Sequence, residues 1–166
     1  APLVPIGDEL LFDDYDTCLN LGGFANISFN ESNQRIAFDV CPVNIVMNYY
    51  VQKLDLEYDN RGQIAKTGEV NKSLLNELNN LKFYKFTHPK SLGLEWVQQN
   101  VFTIINSYDL NVKDILRTFV EHIVIQLVSV LKNKKNVLIT GGGAYNDFLI
   151  KVLGKKTSVE IVIPNS

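Results

Sequence analysis

The sequence is poor in the residues that build metal centres and disulfide networks. Its 166 residues contain two cysteines, Cys18 and Cys41, and two histidines. The cysteines are too few and too scattered for a disulfide framework, and together with the isolated histidines they match no zinc spacing. We therefore predict no metal site built from these side chains, and a reducing cytoplasm is the simplest setting for the protein.

The chain also lacks an excess of charge of either sign and a long apolar run. It carries 16 basic and 18 acidic residues, a net charge of −2, without the basic stripe that follows a phosphodiester backbone. Its most apolar stretch, residues 119–131, is interrupted by Glu121, His122 and Gln126, and it is shorter than the roughly 18 apolar residues of a membrane span. No secretory segment is recognisable. We expect neither nucleic acid nor a membrane as a partner.

The length and the first residues bear on how the chain is organised. A hydrophobic content of 46% over 166 residues suits one domain, which at this size buries about 70% of the surface of its unfolded chain. The sequence opens on Ala1-Pro2-Leu3-Val4-Pro5, and its single methionine is Met47. We expect either that a short tag has been removed or that residues 1–166 are part of a longer protein.

Hydrophobic periodicity predicts a mixed α/β fold that starts with a three-stranded antiparallel meander. Pro42 suits the first turn of a helix with Cys41 in the capping position, a loop with Gly62 and Gly68 follows, and Ser91 is the expected cap of a later helix. The predicted strands are 17–21, 25–30, 35–39, 137–140 and 159–163, and the predicted helices are 42–53, 72–81, 92–107, 112–132 and 145–153.

Two glycine-rich turns that each follow a predicted strand are the strongest indication of function. Gly22-Gly23 follows the first strand, and Gly141-Gly142-Gly143 follows the fourth and opens a helix. A backbone without Cβ atoms can approach an anion closely, so the two turns predict a nucleotide-phosphate site. The structural alternatives are a hairpin turn and a tight strand-to-helix turn. A dinucleotide fold is disfavoured because Asn146 replaces the third glycine of its G-x-G-x-x-G pattern.

Asp39 closes the third strand and is the best catalytic candidate. In a meander the third strand runs parallel to the first, so Asp39 is expected at the sheet edge that carries Gly22-Gly23, where a carboxylate can act as a general base. The alternative is a strand-end residue that caps nearby amides. Cys41 lacks an assignable histidine and His122 adjoins the apolar face of its helix, so packing and hydrogen bonding are their favoured roles.

The two turns and Asp39 belong to an ordered set of short segments that covers nearly the whole chain. The set comprises residues 1–5, Asn20-Leu21-Gly22-Gly23-Phe24-Ala25-Asn26-Ile27, Phe38-Asp39-Val40-Cys41-Pro42-Val43-Asn44, Pro89-Lys90-Ser91-Leu92-Gly93 and Gly141-Gly142-Gly143-Ala144-Tyr145-Asn146. In this order the segments resemble the second lobe of actin-like sugar kinases, and more closely the anhydro-N-acetylmuramic acid kinase family.

The resemblance implies an ATP- and Mg²⁺-dependent enzyme of cell-wall recycling. Members of that family split the 1,6-anhydro bond of anhydro-N-acetylmuramic acid with water and transfer the γ-phosphoryl group of ATP to O6. By this resemblance Asp39 activates the water and Asn44 binds the substrate. The residues that would face the nucleotide are Gly22, Gly23, Gly141, Gly142, Gly143 and Asn146.

The chain departs from the family pattern at two places. The family motif Asp-Thr-Gly-Pro-Gly-Asn is here Asp39-Val40-Cys41-Pro42-Val43-Asn44, so the threonine and both glycines are replaced. Leu94 stands where the family usually has arginine. Substrate contacts made through the backbone of the motif are the feature that these replacements call into question.

The fold that the resemblance implies is α/β and ribonuclease H-like, an actin-like ATPase lobe whose mixed sheet joins the meander to parallel strands and is flanked by helices. On this interpretation residues 1–166 are the incomplete nucleotide-side lobe of a two-lobe kinase, inactive alone because phosphoryl transfer needs closure of both lobes. The alternative is a stand-alone nucleotide-binding or interaction module. The expected partners are ATP and a small sugar, and a homodimer is left open.

Overall fold

A five-stranded mixed sheet organises residues 15–87 and 90–164, which the computed structural model describes. The spatial order of the strands is β3-β2-β1-β4-β5; β1 to β3 form the predicted antiparallel meander, β4 is parallel to β1, and β5 is parallel to β4. The strands are β1 (Thr17–Leu21), β2 (Phe24–Glu31), β3 (Gln34–Pro42), β4 (Asn136–Thr140) and β5 (Glu160–Val162). The segment at residues 1–5, together with Pro89, lies outside the described residues.

Two short turns connect the strands of the meander. Gly22-Gly23 joins β1 to β2, as predicted. Ser32 and Asn33 join β2 to β3 with φ values of 51° and 65°. Two successive residues with positive φ are the requirement of the type I′ hairpin turn, whose twist matches that of the flanking strands.

Seven α-helices lie among the described residues, and a π-helical segment (Val97–Phe102) separates the fourth from the fifth. One helix was missed by the sequence analysis: α2, inside the predicted loop, is too short to have a hydrophobic period. The carboxylate of Asp59 holds it by accepting from the backbone N–H groups of Ile64 and Ala65 at 2.8 and 2.9 Å. The helices are α1 (Asn44–Val51), α2 (Gln63–Lys66), α3 (Lys72–Asn79), α4 (Leu94–Trp96), α5 (Thr103–Asn106), α6 (Val112–Leu131) and α7 (Asp147–Lys156).

Two predicted helix starts were wrong. Pro42 ends β3 instead of opening α1, and the N-cap of α1 is Val43 rather than Cys41. Ser91 does not cap α4, which begins at Leu94 after Gly93. At α1 the carbonyl groups of the Gly22-Gly23 turn accept from the first backbone N–H groups in place of a side-chain cap, and α4 has no side-chain cap.

Helix α6 is the centre of the hydrophobic core. It packs against β3, α1, α2, α3 and α7. Its predicted apolar face is fully buried and consists of Leu116, Phe119, Ile123, Leu127 and Leu131. In the described part of the chain, α6 included, no helix combines the length and the hydrophobicity needed to cross a bilayer.

His122 on α6 is the hub of a buried polar network. Its Nδ1 lies 2.6 Å from Asn79 Oδ1, which also accepts from Gln126 Nε2, and its Nε2 lies 2.8 Å from the hydroxyl of Tyr84. An amide oxygen only accepts, so Nδ1 carries the proton and Tyr84 donates to Nε2. Burial lowers the pKa of His122 to about 3. The network ties α6 to α3 and to the short turn Lys82–Lys85, which agrees with the hydrogen-bonding role preferred for this histidine.

We predict that His122 makes the protein less stable in acid. The folded pKa lies below the unfolded value of about 6.5, so the unfolded chain takes up a proton that the folded chain refuses, and the free energy of unfolding falls as pH falls from about 6.5 toward 3. Between pH 6.5 and 4.5 the free energy of unfolding should fall by about 2 kcal/mol more in the unsubstituted protein than in His122→Gln. Urea unfolding at several pH values measures both slopes, and parallel slopes would contradict the prediction.

Candidate active site

Four polar side chains form a row across the carboxyl ends of three parallel strands. Asp39 on β3 pairs with Asn26 on β2, Asn26 pairs with Asn20 on β1, and Asn20 pairs with Thr140 on β4. Directly paired residues place their side chains on one face of a sheet. Asn20 Nδ2 donates to Thr140 Oγ1 at 3.2 Å. We call these four residues the polar row; it spans about 14 Å, from three strand spacings.

A β-bulge in β3 turns Asp39 toward the polar row. Ala25 pairs with Cys41 and Asn26 pairs with Asp39, so Val40 is an extra residue without a partner on β2. In a regular strand Asp39 and Cys41 would share a face. The bulge instead leaves Cys41 fully buried in the core, while Asp39 is half-buried on the opposite face. Burial raises the pKa of the Cys41 thiol, which agrees with the packing role preferred for it.

Asp39 is held by the loop that precedes α4. Its backbone N–H donates to the carbonyl of Lys90 at 3.1 Å, and its Oδ2 accepts from the backbone N–H of Leu92 at 2.7 Å. Among the described residues, no ion pair involves Asp39. The bond from Leu92 therefore fixes the orientation of the carboxylate and leaves Oδ1 for a ligand. Capping of a backbone amide, the alternative role considered for Asp39, accounts for Oδ2 alone.

The Gly22-Gly23 turn is locked to the start of α1. The Gly23 carbonyl accepts from the backbone N–H groups of Val43 and Ile45 at 2.8 and 3.2 Å, and the Gly22 carbonyl accepts from that of Asn44 at 3.3 Å. These bonds use the N–H groups that a helix N-terminus would otherwise offer to an anion. The turn reaches the edge of the sheet, but the first amides of α1 serve to hold it there.

The side chain of Asn44 supports the same turn. Its Nδ2 donates to the Gly22 carbonyl at 2.9 Å. Asn44 also lines a cleft of about 610 Å³, on the side of the sheet edge where Gly142 and Asn146 lie. A residue predicted to bind substrate thus contacts the hairpin and lines the same cleft as Gly142.

The three glycines after β4 have two different explanations. Gly141 has a φ of 85°, and a Cβ there would lie 2.8 Å from the carbonyl oxygen of Leu21. A Cβ on Gly143 would lie 2.6 Å from the Cβ of Leu21. Both glycines are required by the close approach of this turn to β1. A Cβ on Gly142 would meet nothing within 4 Å, and Gly142 lines the cleft, so packing does not explain this glycine.

Asn146 lies in the wall of the cleft and caps α7. Its Oδ1 accepts from the backbone N–H of Leu149 at 3.0 Å, which leaves the Nδ2 group as the one that can reach a ligand. A short 3₁₀ turn (Gly142–Tyr145) separates the glycines from α7. The sequence analysis expected the glycines to open this helix directly, but the 3₁₀ turn lies between them, and Asn146 is the N-cap of α7.

The cleft has both polar and aromatic residues in its lining and carries an exposed charged pair. Arg61 Nε lies 3.8 Å from Asp147 Oδ2, and both side chains are about two-thirds exposed. Two tyrosines, Tyr58 and Tyr145, line it and are more than half exposed. Within residues 15–87 and 90–164, no three His, Cys, Asp or Glu side chains come together as a metal site.

Comparison with known proteins identifies the family. A sequence model of the anhydro-N-acetylmuramic acid kinases matches residues 1–163. The chain belongs to this family. An anhydro-N-acetylmuramic acid kinase of Pseudomonas savastanoi pv. phaseolicola is 35% identical over 93% of this chain and 46% of its own length. The anhydro-N-acetylmuramic acid kinase of Haemophilus influenzae is 34% identical over 92% of this chain and 46% of its own length. The chain spans about half the length of the curated relatives it matches.

Solved structures show the fold. An activator of 2-hydroxyisocaproyl-CoA dehydratase from Clostridium difficile superposes with a TM-score of 0.57 at 15% identity, over 92% of this chain and 55% of that one. Component A of the Acidaminococcus fermentans (R)-2-hydroxyglutaryl-CoA dehydratase superposes with a TM-score of 0.54, again at 15% identity, over 95% of this chain and 58% of that one. Both have the actin-like ATPase fold, so the fold expected from the family resemblance is confirmed.

Several residues at the site were missed by the sequence analysis. Asn20, Asn26 and Thr140 form most of the polar row, yet only Asp39 was singled out. The available indication was the alternation of apolar and polar residues in β1 and β2, which puts Asn20 and Asn26 on the face opposite the core. The contact of Leu92 with Asp39 joins residues 53 positions apart, and no local pattern predicts it.

We predict that packing of the turn after β4 requires a glycine at position 143 but not at position 142. Gly143→Ala should lower the free energy of unfolding by about 1 to 3 kcal/mol, because the new methyl group collides with Leu21. Gly142→Ala is the matched control and should change stability by less than about 0.5 kcal/mol. Urea denaturation of both variants measures the difference. Equal free energies of unfolding for the two variants would show that the turn is not closely packed against β1.

Proposed function

We propose that residues 1–166 supply the nucleotide-side lobe of an ATP-dependent anhydro-N-acetylmuramic acid kinase of peptidoglycan recycling. The reaction is hydrolysis of the 1,6-anhydro bond coupled to phosphorylation of O6, which gives N-acetylmuramic acid 6-phosphate. The observation that carries the proposal is the polar row, with Asp39 at one end and the glycine turn after Thr140 at the other. Ligands of open α/β sheets bind at this edge.

The chemistry of the cleft fits the nucleoside part of ATP. Its volume of about 610 Å³ lies within the range of 300 to 1,000 Å³ typical of ligand pockets. Gly142 leaves space there that a side chain would fill. Tyr58 and Tyr145 offer aromatic faces, and the Asn146 amide offers a donor. When bound, ATP supplies the phosphoryl group and Mg²⁺ offsets its charge.

The polar row fits the phosphate end of the nucleotide. Thr140 Oγ1 accepts from Asn20, so the proton of its own hydroxyl is free to point to a ligand oxygen. The Asn26 side chain, beside Asn20 on the next strand, is exposed and offers two further N–H groups. The Gly22-Gly23 turn, held rigidly by α1, keeps the end of β1 close to these donors. Neutral donors at fixed positions stabilise developing charge without reorganising.

Asp39 is the general base in this proposal. Oδ2 is fixed by Leu92, and Oδ1 takes a proton from the water that attacks the anomeric carbon of the sugar. The C1–O6 bond breaks in that step, and the freed O6 is the acceptor for phosphorylation. A positioned base contributes about 100-fold to 10,000-fold in rate.

The replaced residues of the family motif do not obstruct this arrangement. Val40, Cys41 and Val43 are 4%, 0% and 0% exposed, so all three side chains lie in the core and not in the active-site cleft. Val40 forms the bulge that turns Asp39 outward. Leu94, in place of the family's arginine, begins α4 and is half exposed.

The setting and the alternative follow from the same observations. Neither cysteine forms a disulfide, and both are buried, which supports a reducing cytoplasm. A stand-alone nucleotide-binding module is not favoured, since the relatives that match this chain are kinases of about twice its length. Whether the complete protein is a homodimer is open to measurement.

We predict that Asp39→Asn abolishes turnover without unfolding the complete protein that contains this chain. Asparagine keeps an acceptor for the Leu92 N–H but cannot take a proton, so kcat should fall by about 100-fold or more while ATP affinity stays within about 3-fold. ADP release in the presence of anhydro-sugar measures kcat, and calorimetry measures ATP binding. Asp109→Asn, an exposed aspartate far along the chain, is the matched control. Near-normal turnover of Asp39→Asn refutes the base assignment.

We further predict that residues 1–166 alone bind ATP with a Kd weaker than about 0.1 mM and do not phosphorylate sugar, because half of a two-lobe cleft lacks preorganisation. Titration calorimetry on residues 1–166 and on the complete protein gives the comparison. Micromolar affinity, or sugar phosphorylation by residues 1–166, would show that these residues form a complete site.

A further inference from the structure

A second cavity opens beside the loop that holds Asp39. It has a volume of about 540 Å³ and is lined by Phe83, Phe86, Thr87, Lys90, Ser91 and Trp96. Lys90 contributes the carbonyl that accepts from Asp39, and Leu92, two residues on, binds the Asp39 carboxylate. The cavity therefore lies beside the loop that holds the proposed base, and Gly142 does not line it.

The walls of this cavity are aromatic and remain accessible. Phe86 is 61% exposed, which is unusual for so large an apolar side chain. Phe83 and Trp96 pack with ring centroids 5.4 Å apart, and Trp96 is only partly buried. Exposed aromatic surface beside a cavity is typical of ligand-binding sites, and aromatic faces suit the C–H faces of a sugar ring.

Among the described residues that line the cavity, Lys90 carries the one positive charge, and no described acidic side chain pairs with it. The ammonium of Lys90 lies 5.1 Å from the centroid of the Phe83 ring, and no ion pair of the described residues includes it. Partial burial lowers its pKa. A cation–π contact stabilises such a group only modestly, so an anion that enters the cavity gains a charge-assisted hydrogen bond from a cation that is already partly desolvated.

We propose that Lys90 selects an acidic sugar by pairing its ammonium group with the carboxylate of the acceptor. The inference rests on the kinase function proposed above. N-acetylmuramic acid differs from N-acetylglucosamine by a lactyl ether that ends in a carboxylate, and this is the anion that the cavity takes. The nucleotide phosphates are the less favoured anion, because the donors proposed for them, Thr140 and Asn26, lie on β4 and β2, whereas the loop of Lys90 contacts β3.

The test compares two sugars and two lysines in the complete protein. Lys90→Met keeps the apolar stem and removes the charge, and Lys85→Met, an exposed lysine that does not line the cavity, is the matched control. Initial rates of ADP release are measured with 1,6-anhydro-N-acetylmuramic acid and with uncharged 1,6-anhydro-N-acetylglucosamine. If the neutral sugar is not turned over, its inhibition constant replaces kcat/KM.

Lys90→Met should lower kcat/KM for the acidic sugar by about 10-fold to 100-fold, the range of a hydrogen bond to a charged group. The value for the neutral sugar should change by less than about 2-fold, the KM for ATP should not change, and Lys90→Arg should restore part of the loss. Thermal unfolding checks that the variants are folded.

Three results overturn the assignment: equal losses with both sugars, a raised KM for ATP, or an unchanged kcat/KM for the acidic sugar. If the unsubstituted protein acts on neither sugar, the kinase function itself fails, and the selection of an acidic sugar fails with it. That outcome is distinguished from the others because it appears before any substitution is made.

Discussion

The close packing of the turn after β4 against Leu21 is the constraint on which the site depends. Gly141 and Gly143 both lack the Cβ that would collide with Leu21, and this approach fixes the register of the parallel pair β1 and β4. Because side chains alternate along a strand, a slip of one residue would turn Thr140 to the core and remove it from Asn20. A contact between two backbones thus determines where the polar row ends.

The Gly22-Gly23 turn at the end of β1 is also held in place, by helix α1. Carbonyl groups of the Gly22-Gly23 turn take up the first N–H groups of α1 and the amide of Asn44. Helix α1 in turn packs on α6 in the core. The hairpin is therefore part of the rigid body of the sheet, and a ligand that meets it finds positions already set. The neutral donors of the polar row beside the hairpin are therefore held in place and cost no rearrangement when charge develops.

The sequence predicted those parts of the fold that local patterns encode. Alternation and turn residues predicted the meander, and the family resemblance implied that parallel strands join it. The bulge at Val40 has no local signature, because it depends on the pairing of β3 with β2. The start of α1 was placed too early for a related reason: Pro42 satisfies local rules for a helix, but sheet pairing with Phe24 holds it in β3.

The same distinction applies to the candidate site. Asp39 and the glycines stand out in the sequence because their residue types are chemically informative. Asn20 and Thr140 became part of the site only when the parallel pairing of β1 with β4 brought together residues 120 positions apart. Two of the three glycines after β4 proved to be needed for packing, so a glycine run is evidence for a ligand only at the position that packing leaves unexplained, here Gly142.

The order of features along the sheet edge gives the site a direction. From β3 to β4 it runs from the aromatic cavity with Lys90, through Asp39 and the neutral donors of the polar row, to the cleft at Gly142. Phosphoryl transfer needs the acceptor on one side of the phosphates and the nucleoside on the other, since attacking and leaving oxygens lie roughly in line. In the proposed function Asp39 serves the water that opens the anhydro bond. Such an order cannot arise from any one strand. It arises because parallel strands end at one edge, and because the bulge and the glycine turn set which side chains face it.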